Sequence, residues 1–552
     1  MPTITFSKKD FEALVGKRFS EKELERFLTF AKGELDDLSG DEVTVGLDDT
    51  NQPALWSVEG LARLAKGIYG IEKGIPKINV SKSDFKVVVD KGVKKVRPYI
   101  ACFVAKGKKL TDDFLKQLIQ LQEKLAEGFG RKRKKLSIGV YPSKKISFPI
   151  NYKAVSGDVS FVPLDFKTEF TIREILKEHP KGKEYAWILE KFDKYPVLVD
   201  SKNQILSLAP IINSETMGKL EVGDDELFFD CTGSDKRAVE LAADIFAQAL
   251  FDRGFKLFYC EIDYPDEKIV TPVLDKLSVS VKQRDFEDLI GEKMSSAKIR
   301  DCLRRMRCDY KDGSVIFPCY RADVMHKVDA IEECAIGFGF DVLEPLPLDA
   351  YTKGSPLPKI KIIDAARELM VGLGFQEVFS MMLSNKDLLY DKMGVQDLGT
   401  IEIATYLSEK YSVVRTWLLP ILFDMLSHNK HYDYPQKVFE QGLATLKVGD
   451  SVVDEEHLAG ISAHPKANFT EAKQAVEYLL SMLGVDFKIE EFDHSSFISG
   501  RCAKVICRNK MIGFLGEIHP KVLENFGLLV PVCAFELSLD LVIKEKNEAE
   551  SA

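Results

Sequence analysis

Between residues 81 and 268 short β-type runs alternate with long amphipathic segments, and this restricts the fold more than any other feature of the chain. FKVVVD, YIACFVA, KLSIGVY, YPVLVD, ILSLAP and ELFFDCTG read as strands, while LTDDFLKQLIQLQEKLAEGF and DKRAVELAADIFAQALFDRG read as helices. Strands and helices mixed in this way predict a sizeable α/β domain built on a mixed sheet. Residues 1–80 read as a smaller α/β unit, with Ser20 and Ser57 placed to cap its helices. Residues 269–347 predict a compact α/β unit with a hairpin turning on Asp312-Gly313, and PLPLDAY marks its end. Residues 348–545 open on IKIIDAARELMVGLGF and continue through EVFSMML, KVFEQGLATL, EHLAGISAH, AKVICRNKMIGFLGEI and CAFELSL, which predicts an antiparallel sheet carrying helices. Residues 546–552 are a tail, and KEKNEAESA, 544–552, reads as disordered. The fold class is therefore α+β and multidomain.

Bulk properties narrow the function classes. A chain of 552 residues has room for about three to five domains. A net charge of −9 argues against a protein held mainly by a basic surface. No stretch of 18 uninterrupted apolar residues occurs, so no membrane span is expected, and the N-terminus lacks the apolar core of a signal peptide. Ten cysteines are scattered without a C-x-x-C pair, which speaks against zinc and fits a reducing cytosol. The sequence contains no P-loop, no completed G-x-G-x-x-G after a strand, no H-E-x-x-H and no G-x-S-x-G. Its eight histidines are dispersed and read as structural.

Two charged stretches stand out. In YRADVMHKVDAIEECAIGFGF, residues 320–340, Asp323, Asp329, Glu332 and Glu333 crowd together. Val328, Ile331, Ala335 and Phe338 mark the apolar face of a helix there, with the three later acids on another face. Such acids either start a helix, favoured by its dipole, or hold a hard cation such as Mg²⁺ or Ca²⁺ through oxygen ligands alone. In GRKRKKLSIG, five consecutive basic residues, Arg131 to Lys135, read either as a solvated turn or as a contact to phosphates.

Several stretches together, in order along nearly the whole chain, resemble one family. They are TNQPALWSVEGLARLAKGIYG, RPYIACFVAKGKKLT, IQLQEKLAEGFGRKRKKLSIGVYPSKKISFPINY, LAPIINSETMGKLEV, FFDCTGSD, PCYRADVMHKVDAIEECAIGFGFDVL, VVRTWLLPILFDMLSHNKHYDYPQKVFEQG and FLGEIHPKVLENFGL. The resemblance is to the phenylalanyl-tRNA synthetase beta chain of archaeal and eukaryotic cytosolic type. It departs at Gln52-Pro53-Ala54, where the family more often has Arg-Pro-Asp.

The resemblance implies a cytoplasmic (αβ)₂ heterotetramer that acts on tRNA(Phe). The alpha chain would bind ATP and join phenylalanine to the tRNA. This chain would hold an editing site in 81–268 that hydrolyses Tyr-tRNA(Phe). Candidate editing residues are Asn213, Ser214, Asp230 and Thr232, with Asp230 accepting the phenol proton and Thr232 orienting the water or the ester. The alternative for these four is a turn and a helix cap. The family's metal pattern D-x₅-D-x₂-E-E falls on Asp323, Asp329, Glu332 and Glu333, and implies Mg²⁺ at the contact with the alpha chain. Residues 348–545 would be a class II synthetase-like domain without activity, because the expected G-x-G-x-x-x-R signature is absent. A non-catalytic RNA-binding scaffold and a Mg²⁺-dependent hydrolase are the competing readings.

Overall fold

A computed structural model describes residues 2–48, 50–348 and 350–550, with the side chains of 547–550 left out. Its dominant feature is an eleven-stranded sheet. From one edge it runs Ile212–Asn213, Ile205–Leu208, Tyr195–Val199, Ile150–Val155, Lys86–Val89, Lys256–Asp263, Tyr99–Lys106, Glu226–Gly233 and Leu136–Pro142. Val80–Ser81 and Lys268–Thr271 also pair with Lys256–Asp263. Three pairings are parallel and the rest antiparallel, so the sheet is mixed.

Successive side chains of a strand point to opposite faces, and both faces of this sheet are covered. Ala101, Phe103, Phe229 and Cys231 share one core with helix Lys236–Asp252; Phe103 stacks on Phe229 at 4.7 Å and Phe246 lies 4.9 Å from Phe229. Ile100, Cys102, Val104 and Phe228 belong to a second core on the other face. The alternation assigns Asp230 and Thr232 to the face of Phe228, away from the long helix.

The chain forms two compact units, Met1–Leu346 and Pro347–Ala552. The first also contains a small antiparallel sheet of Thr3–Ser7, Glu42–Gly46 and Glu34–Ser39. Ser20 and Glu23 form a reciprocal cap on helix Glu21–Phe30, and Ser57 caps Val58–Ile68. A second three-stranded sheet, Leu277–Ser280, Ser314–Phe317 and Asp309–Lys311, carries helix Lys327–Phe338. Its hairpin turns on Asp312 and Gly313, both left-handed at φ 52° and 73°, as a two-residue turn of this hand needs.

The second unit is a seven-stranded sheet, antiparallel except where Gln376–Glu377 joins Gln436–Val448. Helices Pro358–Gly372 and Phe469–Met482 help form one of its cores and Leu419–His428 another. Two expectations need correction. EVFSMML is not one strand: only Gln376–Glu377 and Leu383–Ser384 pair. The C-terminal segment KEKNEAESA is not disordered through 544–550, because helix Leu539–Glu550 carries the backbone on. Leu539, Val542 and Ile543 anchor that helix in the core, and buried Glu545 accepts from Lys510 at 2.6 Å. Residues 551 and 552 lie outside the described residues.

Candidate functional site

A cavity of about 370 Å³ opens on the Phe228 side of the large sheet. Its floor is the pairing of Glu226–Gly233 with Leu136–Pro142, where Asp230 faces Gly139 in register. A Cβ on Gly139 would collide with Tyr141 Oη and Asp230 Oδ1, so only glycine leaves this space open. Asp230 is 3% exposed, and its Oδ1 has no hydrogen-bond partner. The Tyr141 hydroxyl donates to Ser207 Oγ at 2.9 Å and lies close enough to Asp230 to favour its ionised form. Burial pushes the Asp230 carboxyl up to about 7, against the pull of Tyr141 and Arg97. The walls carry Leu164, Leu208 and Ile211. A slot with apolar walls at Leu164, Leu208 and Ile211, polar and charged groups around them and one under-satisfied carboxylate on its floor suits an aromatic ring bearing a hydroxyl.

The four editing candidates separate here. Asp230 and Asn213 line the cavity, Asn213 donating to Gly218 O at 3.4 Å. Ser214 is 1% exposed and caps the short turn Glu215–Gly218, accepting from Met217 N at 3.2 Å. Thr232 is fully buried and is not part of the lining. It accepts from Arg97 Nε at 3.0 Å, beside Ser137 Oγ at 3.2 Å. Arg97 also donates to Thr232 O at 2.7 Å, Ser137 Oγ at 3.1 Å and Arg133 O at 3.1 Å. This buried guanidinium knits the floor strand to the basic run. Gly139, Tyr141, Ser207 and Arg97 were not singled out from the sequence. The one signal available was Gly139, a glycine inside a strand-like run.

The basic run is a turn with an unusual backbone. It follows a π-helical turn, Leu125–Phe129, and places Arg131, Lys132 and Arg133 at φ 50°, 52° and 61°. Each such residue costs about 1–2 kcal/mol. Arg133 is fastened at the cavity wall: it donates to Ile211 O at 3.0 Å and Pro210 O at 3.3 Å, and lies 4.3 Å over the Tyr185 ring.

The four acids of 323–333 do not converge. Arg321, itself buried, binds Asp323 through two hydrogen bonds of 2.7 and 2.6 Å and reaches Glu333 Oε1 at 2.8 Å. Gln52 donates to the same Glu333 oxygen at 2.9 Å, and Glu333 Oε2 is buried without a partner. Asp329 instead accepts from the backbone N–H groups of Met325 and His326 at 2.7 and 2.8 Å, as a helix-start acid does. Glu332 is exposed and pairs with Lys32 at 2.9 Å. Two features of the expected helix are thereby corrected: Glu333 lies in the core rather than beside Asp329 and Glu332, and Val328 is exposed. Among the described residues no group of three or more His, Cys, Asp or Glu side chains is placed to hold a metal ion. As arranged, this donor set does not fit an octahedral Mg²⁺.

In the second unit the sheet buries charged groups that pair with one another. Arg415 pairs with Glu440 at 2.6 Å, with side chains 2% and 0% exposed, and donates to Leu443 O and Ser380 Oγ. Glu536 accepts from Leu418 N and Leu419 N, which open helix Leu419–His428, and from His457 Nδ1 at 2.8 Å.

Comparison with known proteins places this architecture. The family model "Phenylalanyl tRNA synthetase beta chain CLM domain" matches residues 344–539, and "tRNA synthetase B5 domain" matches 279–340. The phenylalanine–tRNA ligase beta subunit of Pyrococcus abyssi is 41% identical over 551 residues, covering 98% of this chain and 99% of that one. That of Archaeoglobus fulgidus is 40% identical with 98% of each covered. The chain belongs to the phenylalanine–tRNA ligase beta subunit family. A crystal structure of an N-terminal fragment of the beta subunit from Pyrococcus horikoshii aligns with TM-score 0.60 and 38% identity, covering 61% of this chain and all of the fragment.

The protein is thus a subunit of an aminoacyl-tRNA synthetase, a ligase serving tRNA(Phe) aminoacylation. Membership in the phenylalanine–tRNA ligase family implies an alpha-chain partner and tRNA. Among the described residues no helix is long and apolar enough to cross a membrane.

Proposed function

We propose that the cavity over Asp230 is an editing site that hydrolyses tyrosine mischarged onto tRNA(Phe). The observation that carries this is the unpartnered buried oxygen of Asp230 on the floor of a cavity whose walls include Leu164, Leu208 and Ile211. Tyrosine exceeds phenylalanine by one hydroxyl, which an apolar synthetic pocket rejects only about a hundredfold. A second site that bonds the hydroxyl recovers the difference: a tyrosine phenol donates to Asp230, whereas phenylalanine would leave the buried carboxylate unpaired. Water then adds to the ester carbonyl, the bond to the ribose oxygen breaks, and that oxygen takes the proton. Thr232 acts from below the floor by holding Arg97 rather than by touching the ester. Hydrolysis of Tyr-tRNA(Phe) by Asp230→Ala and Thr232→Val holoenzymes tests this. Asp230→Ala loses the activity; unchanged hydrolysis in both variants removes these residues from the site.

Phenylalanine activation with ATP belongs, in this reading, to the alpha chain of a cytoplasmic (αβ)₂ assembly. The class II-like unit in 348–545 is silent. What supports this is the closed Arg415–Glu440 pair, which offers no free cation to ATP phosphates. Phenylalanylation by the beta chain alone would overturn it. Mg²⁺ at Asp323, Asp329, Glu332 and Glu333 is a proposal for the assembled enzyme, resting on family likeness. It requires all four acids to exchange present partners for the metal: Asp323 and Glu333 leave Arg321, Asp329 leaves the backbone N–H groups of Met325 and His326, and Glu332 leaves Lys32. The division at 80/81 and 268/269 is likewise our reading of the first unit.

A further inference from the structure

We propose that Arg131, Lys132 and Lys134 form a phosphate-gripping lip that holds the 3′-terminal backbone of the aminoacyl-tRNA at the cavity mouth. The proposal rests on the editing reading and adds the means by which the RNA end is delivered. Arg133, in the middle of the run, is a cavity-wall residue pinned to Ile211 O, Pro210 O and the Tyr185 ring, so its neighbours are fixed beside the opening. Arg131, Lys132 and Lys134 are exposed, and among the described residues their side chains have no ion-pair or hydrogen-bond partner. The other cations of the cavity wall are already spent: Lys181 on Glu184 at 3.0 Å and Lys219 on Glu215 at 2.6 Å. Lys135, which ends the run, pairs with Asp235 at 3.2 Å.

The backbone supports the same conclusion independently. Arg131, Lys132 and Arg133 are consecutive left-handed residues, a conformation that L side chains resist. Their amides are tied back to Gly128 O, Glu127 O and Ala126 O, which fixes the strained turn. Strain held in place and carrying unpaired charge clusters at ligand clamps. The ligand class follows from the cavity's substrate. An amino acid esterified to a tRNA brings phosphodiesters within one ribose of the reacting carbonyl, and single-stranded RNA ends are held by cationic contacts of this kind.

The test uses the alpha–beta holoenzyme carrying R131Q/K132Q/K134Q and the hydrolysis of Tyr-tRNA(Phe) across a salt series. KM rises on the order of tenfold with kcat kept, and the log–log salt dependence of kcat/KM becomes shallower by about 2, for three contacts at about 0.7 each. Phenylalanylation by the same preparation reports intact assembly. Should the triple variant fail to assemble, K132Q/K134Q shows about two-thirds of the slope change. Hydrolysis with wild-type KM and slope overturns this proposal and leaves the editing reading standing, as does weakened alpha–beta assembly with unchanged KM. Absence of Tyr-tRNA hydrolysis by the wild-type enzyme overturns both.

Discussion

Gly139 lies directly across the sheet from Asp230, and its missing side chain leaves the carboxylate open to the cavity. Both residues sit in strands buried on two faces, so neither can shift to make room. Gly139→Ala therefore fills the space between Asp230 and Tyr141. The expected outcome is a loss of Tyr-tRNA(Phe) hydrolysis of about tenfold or more, with a stability cost of about 1–3 kcal/mol. Deacylation kinetics and urea denaturation of the holoenzyme check it, and full hydrolysis in the variant would contradict the role given to Asp230.

Tyr-tRNA hydrolysis should rise with pH through neutrality. Burial lifts Asp230 to about 7, so the carboxylate is ionised only above that value, and an ionised oxygen is the stronger acceptor for a phenol. The ratio of Tyr-tRNA to Phe-tRNA hydrolysis measured from pH 6 to 8.5 shows the rise in wild type and not in Asp230→Asn.

The same shift predicts a stability difference of opposite sense. The folded value of Asp230 lies above its unfolded one, so its contribution is present at low pH and is lost as pH rises through about 7. Asp230→Asn, which cannot ionise, gains stability relative to wild type between pH 5.5 and 8.5. Denaturation midpoints at the two pH values measure it.

Arg321 compensates two buried carboxylates at once, so Arg321→Met strands both Asp323 and Glu333. The expected cost is about 3–5 kcal/mol. Adding Asp323→Asn and Glu333→Gln to Arg321→Met recovers part of it, measured by urea denaturation. For the metal proposal, Asp329→Asn with Glu332→Gln lowers bound Mg²⁺ in the holoenzyme by elemental analysis. Equal metal content in that double variant sinks the site.

His457 provides a check in the second unit. Burial opposes its charge, but the carboxylates of Glu455 and Glu536, at 3.6 and 2.8 Å, outweigh burial and lift it to about 9. Its stabilisation is full below about 6.5 and disappears as pH rises through about 9. Wild type loses stability across that window, and His457→Gln loses less, by thermal denaturation at pH 7 and 9.5.

Local periodicity made the elements legible. The runs YIACFVA and ELFFDCTG are strands because their apolar side chains fill cores on both faces, and Ser20 and Ser57 are caps because hydroxyls at those positions satisfy the first turn. Collinear likeness to one family supplied the role in tRNA charging, which no single motif carried. It also picked out Asp230 and Asn213, which line one cavity.

What the sequence could not decide was which charges meet. Asp323, Asp329, Glu332 and Glu333 are neighbours along the chain, yet their partners are Arg321, the backbone at 325–326, Lys32 and Gln52. Arg97 and Thr232, like Gly139 and Tyr141 against Asp230, are brought together only by strand pairing and turns that join distant segments. Periodicity follows from the backbone's own repeat and is written locally. Whether an acid keeps a near neighbour, as Asp323 keeps Arg321, or meets a distant group, as Glu333 meets Gln52, depends on the free energy of the packed low-dielectric interior, which the tertiary structure sets.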